Sequence, residues 1–225
     1  MNVAVVQARM NSSRLHGKVM LPLAGEPMIW HIIERIKRAK MIDRICVATT
    51  CDSSDDALAE YCRGCNVDVV RGSINDVLAR YIQAAYVTKA DLIVRCTGDN
   101  PLIHPACIDA EIEYLVNNPS CDYVSMRGLP IGTMSEAFTV RTLERLNKLV
   151  MTEYDSEHVT SYIRVDSFQK KDFLTAPELS VAIRLTVDTI DDYERMCNIY
   201  DKLYRGGSII ELIDTIQYLA KERND

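Results

Sequence analysis

The sequence predicts an α/β fold, a mostly parallel sheet covered by helices on both faces. Two observations carry this. Between residues 2 and 99, four strand-like runs alternate with three helix-like runs, the order that joins parallel strands through helical crossovers. Hydrophobic residues make up 48% of the 225 positions, enough to bury a sizeable core in one domain.

The elements follow in order. "NVAVVQA" (2–8) is the first strand, and Pro27 opens a helix through "MIWHIIERIKRAK" (28–40), whose apolar residues recur at helical spacing. "DRICVATT" (43–50) is the second strand. "SSDDALAEYCRGC" (53–65) is a helix with Ser53 or Ser54 as N-cap and acids in its first turn. "VDVVRG" (67–72), "NDVLARYIQAAYVTK" (75–89) and "DLIVRCTGD" (91–99) read as strand, helix and strand. "PACIDAEIEYLVNN" (105–118) is a helix and "CDYVSMRG" (121–128) a strand. "LPIGTMSEAFTV" (129–140) is turn-rich and leads through "RTLERLNKLV" (141–150) to a polar helix near "YDSEHVTSYIR" (154–164). "VAIRLTVDT" (181–189) is a late strand. Two helices, 191–204 and 209–222, follow on either side of Gly206-Gly207. The whole of 1–225 is expected to form one domain, with about 125–180 as a lid or dimerisation insert.

Net charge is −6, which argues against a nucleic-acid or anionic-membrane surface. No segment approaches the roughly 18 apolar residues of a membrane span. The eight cysteines fall mostly in apolar runs, and "CRGC" (62–65) has no second pair or histidine cluster to complete a zinc site. A reduced, cytoplasmic protein is the expectation.

Against that acidic background, "VVQARMNSSRLHGK" (5–18) stands out. A buried strand gives way to two serines, a glycine and three cations, Arg9, Arg14 and Lys18. The loop after the first strand of such a sheet lies at its carboxyl edge, where ligands bind. Small residues let backbone N–H groups approach an anion, and the cations neutralise it. A polyphosphate is the expected ligand, with Lys18 exposed in the loop. Neither a GxGxxG nor a complete P-loop is present, so the sequence gives no support to those phosphate folds.

Two carboxylates end strands. Asp99 closes the fourth in "TGDNPLI", and Asp188 closes the late strand in "RLTVDT". Such a pair suits a divalent cation that takes oxygen ligands. Each could instead cap the following helix, and for Asp188 that alternative stays open because a helix begins within three residues.

The loop resembles the "RxGSxRLPGK" signature of the cytidylyltransferases that activate sugar acids and related surface-glycan precursors. The similarity is greatest to the spore-coat-polysaccharide branch, beside the CMP-sialic-acid and CMP-Kdo synthetases. "RGSINDVLARY" (71–81), "TGDNPLI" (97–103), "EHVTSYIR" (157–164) and "RLTVDTIDDYE" (184–194) resemble further family segments in the same order. Asn11 and His16 stand where the family has glycine and proline, and "PIGTMSEAF" (130–138) departs from "GLDVEVF" at Thr133 and Met134.

The resemblance implies a three-layer, Rossmann-like sheet of the nucleotidyltransferase type. It implies that Arg9, Ser12, Ser13, Arg14 and Lys18 hold the triphosphate of CTP, with Ala8 and Asn11 in the same loop. Arg9, Arg14 and Lys18 would act in catalysis. Gly72, Ser73 and Thr97 fall at the base or ribose, and Asp99 and Asp188 where the family binds Mg²⁺. Glu136, His158, Tyr162 and Arg164 fall on the acceptor side. The expected reaction is in-line transfer of CMP to an anionic sugar acid or phosphorylated sugar-like acceptor, with release of pyrophosphate, by a homodimer. Three rivals are a glycosyltransferase using a nucleotide sugar, a nucleotidyltransferase using another NTP and a non-catalytic nucleotide-binding subunit.

Overall fold

A computed structural model of the chain describes residues 1–149, 152–164, 168–174 and 179–222. Strand β1 (Asn2–Gln7) is an interior strand of the sheet, paired on both edges. Val3 to Val6 are all 0% exposed, because alternate side chains enter cores on opposite faces. A burial of this kind explains the unbroken apolar run that the sequence shows.

The chain leaves β1 through the basic loop and makes a two-stranded hairpin, β2 (Pro22–Leu23) and β3 (Glu26–Pro27), before α1 (Met28–Ile36). The sequence does not signal that hairpin, and α1 ends four residues before Lys40. β4 (Arg44–Thr50), α2 (Asp56–Gly64), β5 (Asp68–Gly72), α3 (Val77–Thr88) and β6 (Leu92–Thr97) match the predicted alternation. The cap of the second helical segment differs from expectation. Asp52, not Ser53 or Ser54, accepts from the Ser54 N–H at 2.9 Å.

After α4 (Pro105–Asn117) come β7 (Tyr123–Arg127), β8 (Glu136–Thr139), α5 (Val140–Asn147), α6 (Glu153–His158) and β9 (Lys170–Leu174). The seven-stranded sheet has the order β5-β4-β1-β6-β8-β7-β9, and β8 runs antiparallel to both of its neighbours. The other ladders are parallel. β8, β9 and most of β7 lie within 125–180, the range expected to form an insert, and they belong to this one sheet. The late strand predicted over 181–189 is extended chain with a single bridge, Ile131 to Arg184, rather than a ladder.

One core layer packs α1, α2 and α4 on the sheet; the other packs α3 and α5. The last helices, α7 (Ile190–Leu203) and α8 (Leu212–Glu222), close a third cluster around Leu185 and Val187. From β1 the chain goes outward to β4 and β5, then returns to β6 on the other side. The crevice of such a switch point opens at the carboxyl ends of β1 and β6. There Gly98 N–H donates to the Gln7 carbonyl at 2.9 Å. A Cβ on Gly98 would stand 2.9 Å from the Ala8 Cβ, so only glycine lets the two strand ends meet.

All eight cysteines are free. Burial pushes the Cys62 thiol up to about 12, so the CRGC pair offers no ready thiolate. Among the described residues no helix is long and apolar enough to cross a membrane.

Candidate active site

The basic loop folds on one carbonyl. Ser12 N–H and Gly17 N–H both donate to Met10 O at 2.8 Å, while Met10 N–H donates to Asp55 at 2.6 Å. This doubling back delivers Lys18, at the start of a short 3-10 turn (Lys18–Met20), under the strand ends.

Lys18 is buried, not exposed as its loop position suggests. Its Nζ donates to Val187 O at 2.8 Å, Asp188 Oδ1 at 2.9 Å and Asp99 Oδ2 at 3.2 Å. Both predicted metal carboxylates therefore face one ammonium. Arg14 joins Asp188 Oδ1 at 2.7 Å, and Arg184 holds the other oxygen. Burial alone would raise the Asp188 carboxyl, but hydrogen bonds from Lys18 and Arg14 overturn that and hold it below the usual carboxylate range. Arg14, bonded to Asp188, is correspondingly raised.

The helix-cap alternative for Asp188 does not hold. Thr189 caps α7, accepting from Asp192 N–H, and the Asp192 carboxylate returns to Asp188 N–H at 3.0 Å and Thr189 N–H at 3.1 Å. The Asp188 side chain is left to the cations.

These groups line a cleft of about 1030 Å³ at the carboxyl edge of the sheet. Ala8, Arg9, Ser12, Ser13, Arg14, Lys18, Thr97 and Asp99 meet there, as do Glu136, His158 and Asp188. Arg9 reaches Glu157 only loosely, at 3.9 Å. Four predicted residues stand outside the cleft lining. Asn11 donates to Ser54 Oγ at 3.0 Å. Gly72 ends β5, and Ser73 Oγ accepts from Asn75 N–H and Asp76 N–H, both at 3.2 Å, to start α3. Tyr162 packs on the core beside α3. The Arg164 side chain lies outside the described residues.

Glu136 is engaged by protein groups. Its oxygens accept from Tyr123 OH at 2.6 Å, Thr160 Oγ1 at 2.8 Å and Arg95 Nη1 at 2.9 Å. It anchors a cation in the cleft wall rather than standing open as an acceptor contact. His158 lines the cleft with its ring 4.2 Å from that of Tyr154.

The sequence reading missed Arg80, Arg95, Arg127 and Arg184. Of the four, Arg80, Arg95 and Arg127 line the cleft. Arg95 had a signal, a lone charge inside the apolar run of β6. Arg80 had none, because an arginine on a helix is usually a solvated face.

The chain is similar to known proteins over most of its length. Residues 3–206 match the family model described as cytidylyltransferase. The spore coat polysaccharide biosynthesis protein SpsF of Bacillus subtilis is 34% identical over 206 residues, 88% of this chain and 85% of that one. A 3-deoxy-manno-octulosonate cytidylyltransferase from Geobacter sulfurreducens is 37% identical over 123 residues, 53% of this chain and 48% of its own length. The solved cytidylyltransferase of Leptospira borgpetersenii superposes with a TM-score of 0.90 at 31% identity, over 99% of this chain and 95% of that one. With the family model spanning most of its length, and a cationic loop facing two carboxylates across the switch point, the chain belongs to the cytidylyltransferase family and is a CTP-dependent nucleotidyltransferase.

Proposed function

We propose that the enzyme transfers CMP from CTP to an anionic sugar acid, releasing pyrophosphate, in the synthesis of a surface-glycan precursor. The observation that carries this reading is the buried Lys18 shared by Asp99 and Asp188 beside the loop of Arg9 and Arg14. It supplies fixed positive charge for a polyphosphate and two carboxylates at one point. A sugar-acid acceptor is supported by the 3-deoxy-manno-octulosonate cytidylyltransferase of Geobacter, and glycan synthesis by the spore coat polysaccharide protein of Bacillus.

An acceptor oxygen attacks the α-phosphorus of CTP in line. The new O–P bond forms as the bond to the β-phosphate breaks, and the hydroxyl proton leaves to solvent or a cleft base. Lys18 and Arg14 stabilise the charge that grows on the departing pyrophosphate. Ser12 and Ser13, on a loop tied to Met10, orient the phosphates without large reorganisation.

In this reading Asp99 and Asp188 would hold Mg²⁺ through carboxylate oxygens, the donors it takes, in place of the Lys18, Arg14 and Arg184 contacts those oxygens make in this structure. When bound there, the metal would neutralise and orient the phosphates.

The test is pyrophosphate release from CTP across a panel of acceptors. Acidic sugars, 3-deoxy-manno-octulosonate among them, should turn over well ahead of their neutral analogues. Equal turnover of neutral sugars would overturn the acceptor class. Release of a nucleoside mono- or diphosphate from a nucleotide sugar, with none of pyrophosphate from CTP, would overturn the reaction.

A further inference from the structure

Arg80 is the unbalanced charge of the cleft. It stands on α3 one turn after Val77, lines the cleft, and is only 3% exposed. Its Nε is buried without a partner, and among the described residues no hydrogen bond or ion pair reaches the guanidinium. Arginine keeps its charge at any working pH. A buried charge with no carboxylate in direct contact is among the costlier things a fold can hold.

The carboxylates around it are committed elsewhere. Asp55 accepts from Met10 N–H at 2.6 Å, Thr49 Oγ1 at 2.9 Å and Thr50 N–H at 3.0 Å. Asp76 caps α3 through Ala79 N–H at 2.8 Å. The remaining charged neighbour is Arg9, a second cation. Burial first, and then the charge of Arg9, press the Arg80 guanidinium below its ordinary value, and the charges of Asp55 and Asp76 offset this only in part.

The place is also built for this side chain. A Cβ at Gly72 would come within 2.9 Å of the Arg80 Cγ, so the stem lies where the end of β5 leaves room. Two cations facing one space repel each other until an anion comes between them. A guanidinium offers such an anion two parallel N–H groups.

We propose that Arg80, together with Arg9, forms an oxyanion subsite that takes a phosphate or carboxylate group of a bound substrate. The proposal rests on the functional reading above only for which substrate brings the oxyanion. It can come from the phosphate chain of the nucleotide or from the acid group of the acceptor, and experiment separates the two.

The variants are Arg80→Met, which keeps the bulk and removes the charge, and Arg80→Lys, which keeps the charge. Without ligand, Arg80→Met should melt at or above the wild-type temperature, because an unpaired buried charge has gone. A structural role requires it to melt several degrees lower, and that result overturns the proposal. Calorimetric titration with inorganic tripolyphosphate should show affinity falling about tenfold or more in Arg80→Met, with partial recovery in Arg80→Lys. This identifies the phosphate chain. If tripolyphosphate binds all three proteins alike while 3-deoxy-manno-octulosonate loses affinity, the acceptor's carboxylate is the group held. Loss confined to cytidine, or no loss with any of these probes, also overturns it. A protein that releases no pyrophosphate from CTP, yet loses tripolyphosphate in Arg80→Met, fails the functional reading and keeps this one.

Discussion

Lys18 both lines the cleft and braces the strand ends that form it. Its ammonium binds two carboxylates and a carbonyl from beneath the loop, so its loss should be felt in both activity and stability. Lys18→Met should cut turnover by about two orders of magnitude, the scale of a lost electrostatic stabiliser. It should also cost roughly 2 kcal/mol at neutral pH, less than a fully buried pair because Asp99 keeps 26% exposure. The depressed Asp188 carboxyl adds a pH signature. Its stabilising contribution is complete above about pH 4 and is lost as pH falls through the lower folded value. The gap between variant and wild type should therefore narrow between neutral and strongly acid pH. Denaturant titrations at both ends would show it, and identical curves at pH 7 would remove Lys18 from the stability of the fold. The cations and small residues after the first strand were legible because nothing in a core explains them. Asn11 and Ser73 stand outside the cleft lining, since short polar side chains bond nearby backbone and loop groups as readily as they bond ligands.

At the level of elements, the capping box of α7 separates two roles that the sequence leaves merged. Thr189→Ala should lower stability by about 1 kcal/mol with turnover largely kept. Asp188→Asn should abolish turnover while leaving the helix signal intact, since Asp188 contributes only its N–H to the cap. Thermal melts and initial rates on the two variants decide it; a helix lost in Asp188→Asn would return that residue to a capping role. The alternating strands and helices to Thr97 were readable because the central strands are mostly apolar and their helices amphipathic. β8 was not. Its four residues, Glu136 to Thr139, follow a turn-rich stretch and carry a charge that pairs inside the sheet. The 181–189 segment has strand-like alternation, yet it meets Ile131 at a single bridge instead of a ladder. Its apolar side chains Leu185 and Val187 are buried by α7 and α8 rather than by a neighbouring strand face.

For the molecule as a whole, alternation predicts parallel neighbours but not their order. The order follows from the chain stepping from β1 to β4 and β5 before returning to β6, a path that leaves one crevice in which the cations of the basic loop meet Asp99 and Asp188. That path also has a kinetic consequence. Lys18 meets Asp99 across 81 positions and Asp188 across 170, so one ammonium joins the beginning, middle and end of the chain. Contacts of such span reward the chain only after most loop closure has been completed. On refolding from urea, the far-UV signal of the helices should therefore return before the ability to release pyrophosphate. Recovery of both in one shared phase would show that these long-range contacts form early. Under the expected order, catalytic competence marks the final event of folding, and a partly assembled chain holds helices and strands without being able to spend CTP.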